Sequence, residues 1–164
     1  MKFKYLIMLI VILTFAGYQF NAFGQTSTSE IKYLTQGADV ILAGKVLQQK
    51  SKWNKNRSRI YTDATIQVEE YLKGNTNESS IVVTYLGGEV GGVGELYTHM
   101  PKFNDDEEIL VFLKKDQLTS GYKVFNGAEG KVSIIYDKNT GEKITTSNVK
   151  INTLKEQVKS FSEE

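Results

Sequence analysis

The residues that could do chemistry are few, and His99 is the only histidine in the chain. A single imidazole rules out a histidine pair for zinc and leaves one candidate for the base of a Ser/His/Asp triad. The absence of cysteine excludes disulfides and thiolate metal sites, and neither Gly-x-Ser-x-Gly nor His-Glu-x-x-His occurs. We therefore predict no metal site, no cofactor and no catalytic residue, and we place His99 in a loop.

Two acidic stretches contain parts of a calcium-binding loop without completing one. Residues 105–108 lack the required alternation of acidic and other residues, and Asp137-x-Asn139-x-Gly141 has no glutamate at the right distance. We interpret both as acidic turns beside strands. Carboxylates that are distant in the chain can still converge, so a hydrolase that uses Glu89 or Glu95 stays open as an alternative.

A glycine-rich stretch directly after a predicted strand is the most unusual local feature. Its main glycines are Gly87, Gly88, Gly91 and Gly92. Neither a helix start nor a Gly-Lys-Ser/Thr ending follows, so the stretch does not predict a phosphate-binding loop. Two interpretations remain: the glycines form a wide turn at positive φ, or a ligand approaches their bare backbone.

The glycines begin a long connection, residues 87–106, between two predicted strands. Long connections are uncommon in compact domains, where they are usually functional or disordered. This one also carries Tyr97, His99 and Phe103, which makes it too aromatic for simple disorder. We expect an ordered flap that forms a contact surface, and the alternative is that Tyr97 and Phe103 plug one end of a barrel.

Basic residues surround the single tryptophan, Trp53, between the first two predicted strands. They are Lys50, Lys52, Lys55, Arg57 and Arg59, with no acidic residue among them. The first interpretation is a solvated hairpin tip, and the alternative is an anionic ligand such as a glycan or a lipid surface, because basic charge lies beside an aromatic ring. Nucleic acid is not expected, because the whole chain carries a formal net charge of only +1.

The N-terminus has the pattern of a secretory signal peptide. Lys2 and Lys4 precede an apolar run, and small residues at Ala22 and Gly24 fit the cleavage rule. We predict a signal peptide at residues 1–24, a flexible lead-in at 25–35 and one domain at 36–162. The apolar run is shorter than the roughly 20 residues of a membrane span, so the mature chain is expected to be secreted or periplasmic and not membrane-spanning.

Extended segments dominate the rest of the chain. Strands are predicted at 38–47, 60–72, 80–86, 108–114, 122–125 and 131–136, with a short seventh at 142–146, from alternating apolar residues bounded by turns. Ile151, Leu154, Val158 and Phe161 recur at helical spacing, and Thr153 with Glu156 matches a capping box. The prediction is a mainly β fold: a Greek-key barrel of about six strands, like an oligonucleotide-binding (OB) fold, with a C-terminal α-helix.

Several motifs together resemble a widespread, largely uncharacterised family of exported bacterial domains. They are Ala38-Asp39-Val40-Ile41, Gly44-Lys45-Val46, the strand end at 68–74, the double-glycine loop, and Pro101-x-Phe103 before the acidic strand start at 107–113. The resemblance covers residues 36–162, and the glycine loop with Pro-x-Phe is its most specific part. The family tends to have glycine where this chain has Asp106, and we expect the turn to survive because aspartate tolerates the left-handed region.

The order of the first motifs is more faintly similar to the netrin-like barrels of the tissue inhibitors of metalloproteinases. That resemblance implies an OB-type barrel. Those inhibitors chelate the protease zinc with an N-terminal cysteine, which this chain lacks. The resemblance therefore implies the fold and not the inhibitory activity.

The sequence predicts an exported, non-enzymatic domain that binds an unknown protein or envelope polymer. The candidate contact residues are Gly87, Gly88, Gly91, Gly92, Tyr97, His99, Phe103, Trp53, Arg57 and Arg59. The envelope hydrolase is one alternative, and a passive structural component of the envelope is the other. A hydrolase should have a deep pocket around convergent acids, whereas a binding module should have a shallow face or a rim of loops.

Overall fold

A computed structural model describes residues 27–74, 76–117 and 121–164. The strands are β1 (Val40–Trp53), β2 (Ile60–Lys73), β3 (Ser80–Leu86), β4 (Gly88–Val90), β5 (Val93–Glu95), β6 (Glu108–Lys115), β7 (Tyr122–Val124), β8 (Lys131–Tyr136) and β9 (Lys143–Thr145). Helices α1 (Thr28–Gly37) and α2 (Ile151–Ser162) flank them, and a short 3₁₀ helix spans Gly127–Gly130. The predicted signal peptide lies outside the described residues. In the part of the chain described, the helices are too short or too polar to cross a membrane.

Five strands close into a barrel in the order β1-β2-β3-β7-β6, with β6 pairing back onto β1. β3 and β7 run parallel, whereas the other neighbours in the barrel are antiparallel. β1 pairs with both β2 and β6, because it is 14 residues long and is bent by three register shifts along its pairing with β2. The closed barrel and the C-terminal helix confirm the predicted OB-like fold.

Apolar side chains form one core inside the barrel and a second between the barrel and the helices. The first includes Val40, Leu42, Val46, Ala64, Ile66, Ile81, Val83, Phe103, Ile109, Val111 and Leu113. The second includes Ile31, Leu34, Ile41, Leu72, Leu110, Phe112, Ile151, Leu154 and Val158. The first half of β1, residues 40–46, and residues 109–113 of β6 are almost fully buried because their alternate residues face these two cores.

Helix α1 occupies most of the segment expected to be a flexible lead-in, so that prediction is wrong for residues 28–35. Ser27 caps the helix by accepting a hydrogen bond from the Glu30 amide, and Ile31 and Leu34 are fully buried. At the other end, Lys73 Nζ donates to the carbonyl oxygens of Thr35 at 2.7 Å and Ala38 at 2.8 Å. The polar Ser/Thr composition concealed a helix that packing and capping stabilise.

Helix α2 confirms the predicted terminal helix. Ile151, Leu154 and Val158 are buried against the barrel and α1, and Phe161 is half-buried beside them. The predicted capping box is wrong, because the helix begins at Ile151 with Lys150 as the N-cap, and both residues of the box lie inside the helix. The predicted N-cap, Thr153, lies three positions after the observed N-cap, Lys150. The apolar spacing thus predicted the helix correctly, whereas the capping box predicted its start wrongly.

Predicted strand boundaries agree with the structure to within two residues except at the end of β1. That strand continues to Trp53, six residues beyond the predicted end, and forms a two-stranded arm with the start of β2. Residues 48–52 of the arm are polar, so no apolar alternation marks them in the sequence. Cross-strand pairing with β2 stabilises the arm instead.

Candidate functional site

A surface groove of about 900 Å³ crosses the arm and the outer face of β2 and β3 and extends to β7. Its lining includes Lys52, Trp53, Asn54 and Lys55 of the arm, Tyr61, Asp63, Val82, Thr84, Tyr85 and Leu86 of β2 and β3, Met100 and Pro101, and Asp116, Gly121, Lys123, Val124 and Gly127. Apolar, aromatic and basic side chains therefore meet in one open depression. This composition is typical of a ligand-binding surface.

The floor of the groove is built from rows of side chains that lie side by side across the strands. One row is Lys52, Tyr61 and Leu86, which are register partners on β1, β2 and β3. In the next row Thr84 Oγ1 donates to Asp63 Oδ1 at 2.7 Å, and Lys52 forms an ion pair with the same carboxylate. Asp63 is thus already neutralised by the protein itself.

The far wall of the groove begins where the barrel is least tightly closed. β3 and β7 share a single register pair, Val83 with Tyr122, among the described residues. Beyond it, Leu86 of β3 and Val124 of β7 both line the groove. The described residues form no further register pair between the two strands there, and both strand ends border the open volume.

Residues 97–101, which we call the strap, close the groove along one side. The backbone of His99 holds the strap down, because its carbonyl oxygen accepts a hydrogen bond from the Ala128 amide at 3.0 Å. Pro101 is buried, whereas the His99 side chain is exposed and lies 3.3 Å from the Thr98 hydroxyl. His99 therefore contributes to the groove through its main chain, and the lining residues of the strap are Met100 and Pro101.

The glycines form a turn and a close-packed corner. Gly91 and Gly92 have φ of 61° and 79° and connect β4 to β5, as a tight hairpin turn requires. Gly87 is buried and its carbonyl accepts from Thr62 Oγ1 at 2.7 Å, while a Cβ at Gly88 would lie 2.2 Å from the same hydroxyl. These contacts support the turn interpretation for all four, and Gly87 has no exposed backbone for a ligand.

Glu95 ties the β4–β5 hairpin to the arm at Ile60, close to the tip of the arm. Its carboxylate accepts hydrogen bonds from the Ile60 amide at 3.2 Å and from the Tyr97 hydroxyl at 3.0 Å. Desolvation raises the pKa of Tyr97, and the hydrogen bond to the Glu95 carboxylate raises it further. Glu89 is exposed on β4, and neither Glu89 nor Glu95 lines the groove. The ordered flap is thus a hairpin and a strap held by specific hydrogen bonds.

The remaining sequence candidates are divided between the groove, its rim and the core. Trp53 lines the groove, whereas Arg57 and Arg59 are exposed at the tip of the arm. Phe103 is 5% exposed in the barrel core, and its ring centroid is 5.5 Å from that of Tyr85. Phe103 is therefore a plug and not a contact residue, which corrects the prediction for that position.

Sequence reasoning missed most of the groove floor. Tyr61, Asp63, Thr84 and Lys123 were not among the candidate contact residues, because nothing in one strand shows which neighbour its outward residues will meet. The strict alternation of β2 was the available signal, because it assigns Tyr61 and Asp63 to one outward face.

The described residues contain no group of three His, Asp or Glu side chains arranged to hold a metal ion. Comparison with known proteins gives no assignment, since neither a protein-family model nor a curated protein matches the chain. The site is therefore interpreted from its own geometry.

Proposed function

We propose that the protein is an exported, non-enzymatic interaction domain that binds its ligand in the groove. The observation that carries the proposal is the groove itself: an open depression of about 900 Å³ in which strand faces, the basic arm and the strap converge. In OB folds the face of the second and third strands, with the adjoining loops, is the usual ligand-binding surface. Here β2 and β3 form the corresponding face.

The charge distribution supports a binding role. In the described part of the chain, Lys55 and Lys123 line the groove without a carboxylate partner, and the same holds for Arg57 and Arg59 at its rim. Some lysines on other faces, such as Lys45 and Lys155, are by contrast paired with acids. Uncompensated cations around a concave apolar surface attract an anionic partner and help to orient it.

The hydrolase alternative is less well supported. Its proposed acids, Glu89 and Glu95, do not line the groove, and Glu95 is engaged by Ile60 and Tyr97. Within the groove, Asp63 is held by Lys52 and Thr84. The oxygens of this carboxylate are thus engaged by the protein's own side chains.

A matched pair of variants tests the site. Val82 lies in the groove and is 45% exposed, and Ile135 lies on β8 and is 43% exposed. We expect Val82→Glu to abolish retention of envelope or culture components by the immobilised protein, and Ile135→Glu to leave it intact, with equal melting temperatures. Trp53, the only tryptophan, should report direct binding of the purified component by fluorescence. Equal retention by both variants would place the ligand elsewhere.

Export has its own test, because the signal peptide is inferred from sequence alone. Mass spectrometry of the extracellular or periplasmic fraction should find a mature N-terminus near Gln25. An intact Met1 in a cytosolic fraction would contradict it. This result does not depend on the groove.

A further inference from the structure

We propose that the ligand is an extended peptide segment rich in acidic and apolar residues, which pairs with the free edge of β3 inside the groove. This inference rests on the proposed function and names the partner chemistry. It starts from the ladder between β3 and β7, which has one register pair, Val83 with Tyr122, among the described residues. Past that pair, toward Leu86 and Val124, neither edge has a strand partner among residues 27–74, 76–117 and 121–164.

Hydrogen-bond phase shows which backbone groups point into the groove from β3. The Gly87 amide donates to the Ile60 carbonyl at 2.8 Å, and bonded and non-bonded pairs alternate along an antiparallel ladder. Leu86, opposite Tyr61, is therefore in a non-bonded pair. Its amide and carbonyl point away from β2, toward the groove.

The same argument applies to β7. The Phe125 amide donates to the Phe112 carbonyl at 2.8 Å, and Val124 is the register partner of Leu113. Alternation then directs the amide and carbonyl of Val124 away from β6 and toward β3. Leu86 and Val124 thus present backbone donors and acceptors from opposite sides of one groove.

Exposed strand edges are templates for an added strand, and main-chain hydrogen bonds then supply affinity while alternate side chains supply specificity. Thr84 adjoins the pair of Val83 with Tyr122, so the free edge of β3 at residues 85–86 would contact about two residues of an extended chain, or roughly 7 Å. A glycan has no regular array of amide groups to complete this ladder. The unpaired edges therefore favour a peptide over a polysaccharide.

The side chains of the groove define the peptide's composition. Lys55 and Lys123 lack carboxylate partners in the described chain, which favours acidic residues. Val82 and Met100 supply apolar surface in the same groove. Since side chains alternate along a strand, a peptide with acidic and apolar residues in turn would satisfy both sets.

The probe is a short Glu-Val repeat peptide, blocked at both ends, titrated into the full-length protein and followed by amide NMR. We expect the Leu86 and Val124 amides to shift and their hydrogen exchange to slow by about tenfold or more at saturation, the scale of one to two new hydrogen bonds. A Lys-Val repeat, and a Glu-Val repeat with alternate amides N-methylated, should bind at least about tenfold more weakly for lack of charge complementarity or of backbone donors.

Two variants at one position separate backbone from side chain. Leu86→Pro removes the groove-facing amide, while Leu86→Ala keeps it. We expect the proline variant to lose peptide binding and the alanine variant to retain it. Exchange protection in the unmodified protein decides the question should Leu86→Pro fail to fold.

Three results would overturn the inference. They are no response at about 1 mM peptide, equal binding of the N-methylated peptide, and binding of an acidic oligogalacturonate with no protection of Leu86 or Val124. The last result would leave the proposed function standing, because the Val82→Glu comparison tests the groove with any ligand. If Val82→Glu and Ile135→Glu retained the ligand equally, both the proposed function and this inference would be wrong.

Discussion

Gly127 lies against the carbonyl oxygen of His99: a Cβ added at Gly127 would be 2.3 Å from that oxygen. The same oxygen accepts the hydrogen bond from the Ala128 amide. Gly127 also has a φ of +61°, which L-residues rarely adopt. The start of the 3₁₀ helix thus fixes the position of the strap backbone at His99. It thereby also positions Met100 and Pro101, which line the groove.

This contact predicts that Gly127→Ala destabilises the protein more than backbone strain alone explains. Gly141 is the matched control, because it has a φ of +72° and no atom within 4 Å of a built Cβ. We expect Gly141→Ala to lower the free energy of unfolding by about 1–2 kcal/mol, the cost of the left-handed conformation. Gly127→Ala should lower it by a further 1–3 kcal/mol or so from overpacking. Equal losses in urea unfolding would contradict the contact.

Helix α2 should be part of the cooperative core. Leu154 is 4% exposed between the barrel and α1, so Leu154→Ala is expected to lower the free energy of unfolding by about 2–5 kcal/mol. Asn152→Ala, at an exposed position of the same helix, serves as the control and should change it by less than about 0.5 kcal/mol. A change for Leu154→Ala as small as that of the control would mean that the helix contributes little to stability.

The fold could be predicted because its apolar pattern is regular. β2 alternates over its first seven residues, and the stripe of α2 repeats at helical spacing, so local periodicity assigned both correctly. α1 was missed because its stability comes from contacts made after folding, notably Ile31 and Leu34 in the second core and Lys73 at its C-terminus. Sequence reasoning cannot see such partners across a gap of 38 residues in the chain.

The candidate site was predicted less well, because its residues come from neighbouring strands that are distant in the sequence. Trp53 was identified from the basic cluster, but the cross-strand row of Lys52, Tyr61 and Leu86 depends on register between three strands. Phe103 was assigned to the surface although its ring fills the barrel, since an aromatic residue in a loop fits both roles. Composition therefore indicated a candidate binding surface, and topology determined which residues line the groove.

Asp106 occupies the left-handed region, with a φ of 65°, as expected where the resembled family tends to have glycine. Its amide donates to the Val46 carbonyl at 2.8 Å, so the turn is retained. We expect Asp106→Gly to raise the free energy of unfolding by up to about 1 kcal/mol through relief of strain. Its ion pair with Lys45 is exposed and contributes little. Asp106→Ala is the paired control and should destabilise; stabilisation by both would contradict strain as the cause.

The buried ion pair between Lys131 and Glu107 should control acid stability near the strap. Their side chains are 8% and 13% exposed, and Lys131 Nζ also donates to the Lys102 carbonyl at 2.7 Å. Burial alone would raise the pKa of Glu107, but hydrogen bonds from Lys131 and Ser133 outweigh burial and hold the pKa below its ordinary value of 4.5. Glu107 therefore binds a proton less readily in the folded chain than in the unfolded chain.

Because the pKa of Glu107 is lower in the folded chain than in the unfolded chain, acid lowers the free energy of unfolding. The stabilisation from Glu107 is present above about pH 4.5 and is lost as the pH falls through the lower folded value. At neutral pH, Lys131→Met should lower the free energy of unfolding by about 3–5 kcal/mol, because it leaves a buried carboxylate unpaired. The loss should shrink at about pH 3, where the unpaired carboxyl is protonated in both states.

The exposed pair of Lys150 with Glu142 provides the control, since both side chains are about half exposed or more. Lys150→Met should change the free energy of unfolding by less than about 1 kcal/mol at either pH, as is usual for surface pairs. Urea unfolding of the three proteins at both pH values measures the difference directly. If the loss for Lys131→Met is the same at both pH values, Glu107 does not carry the pH dependence.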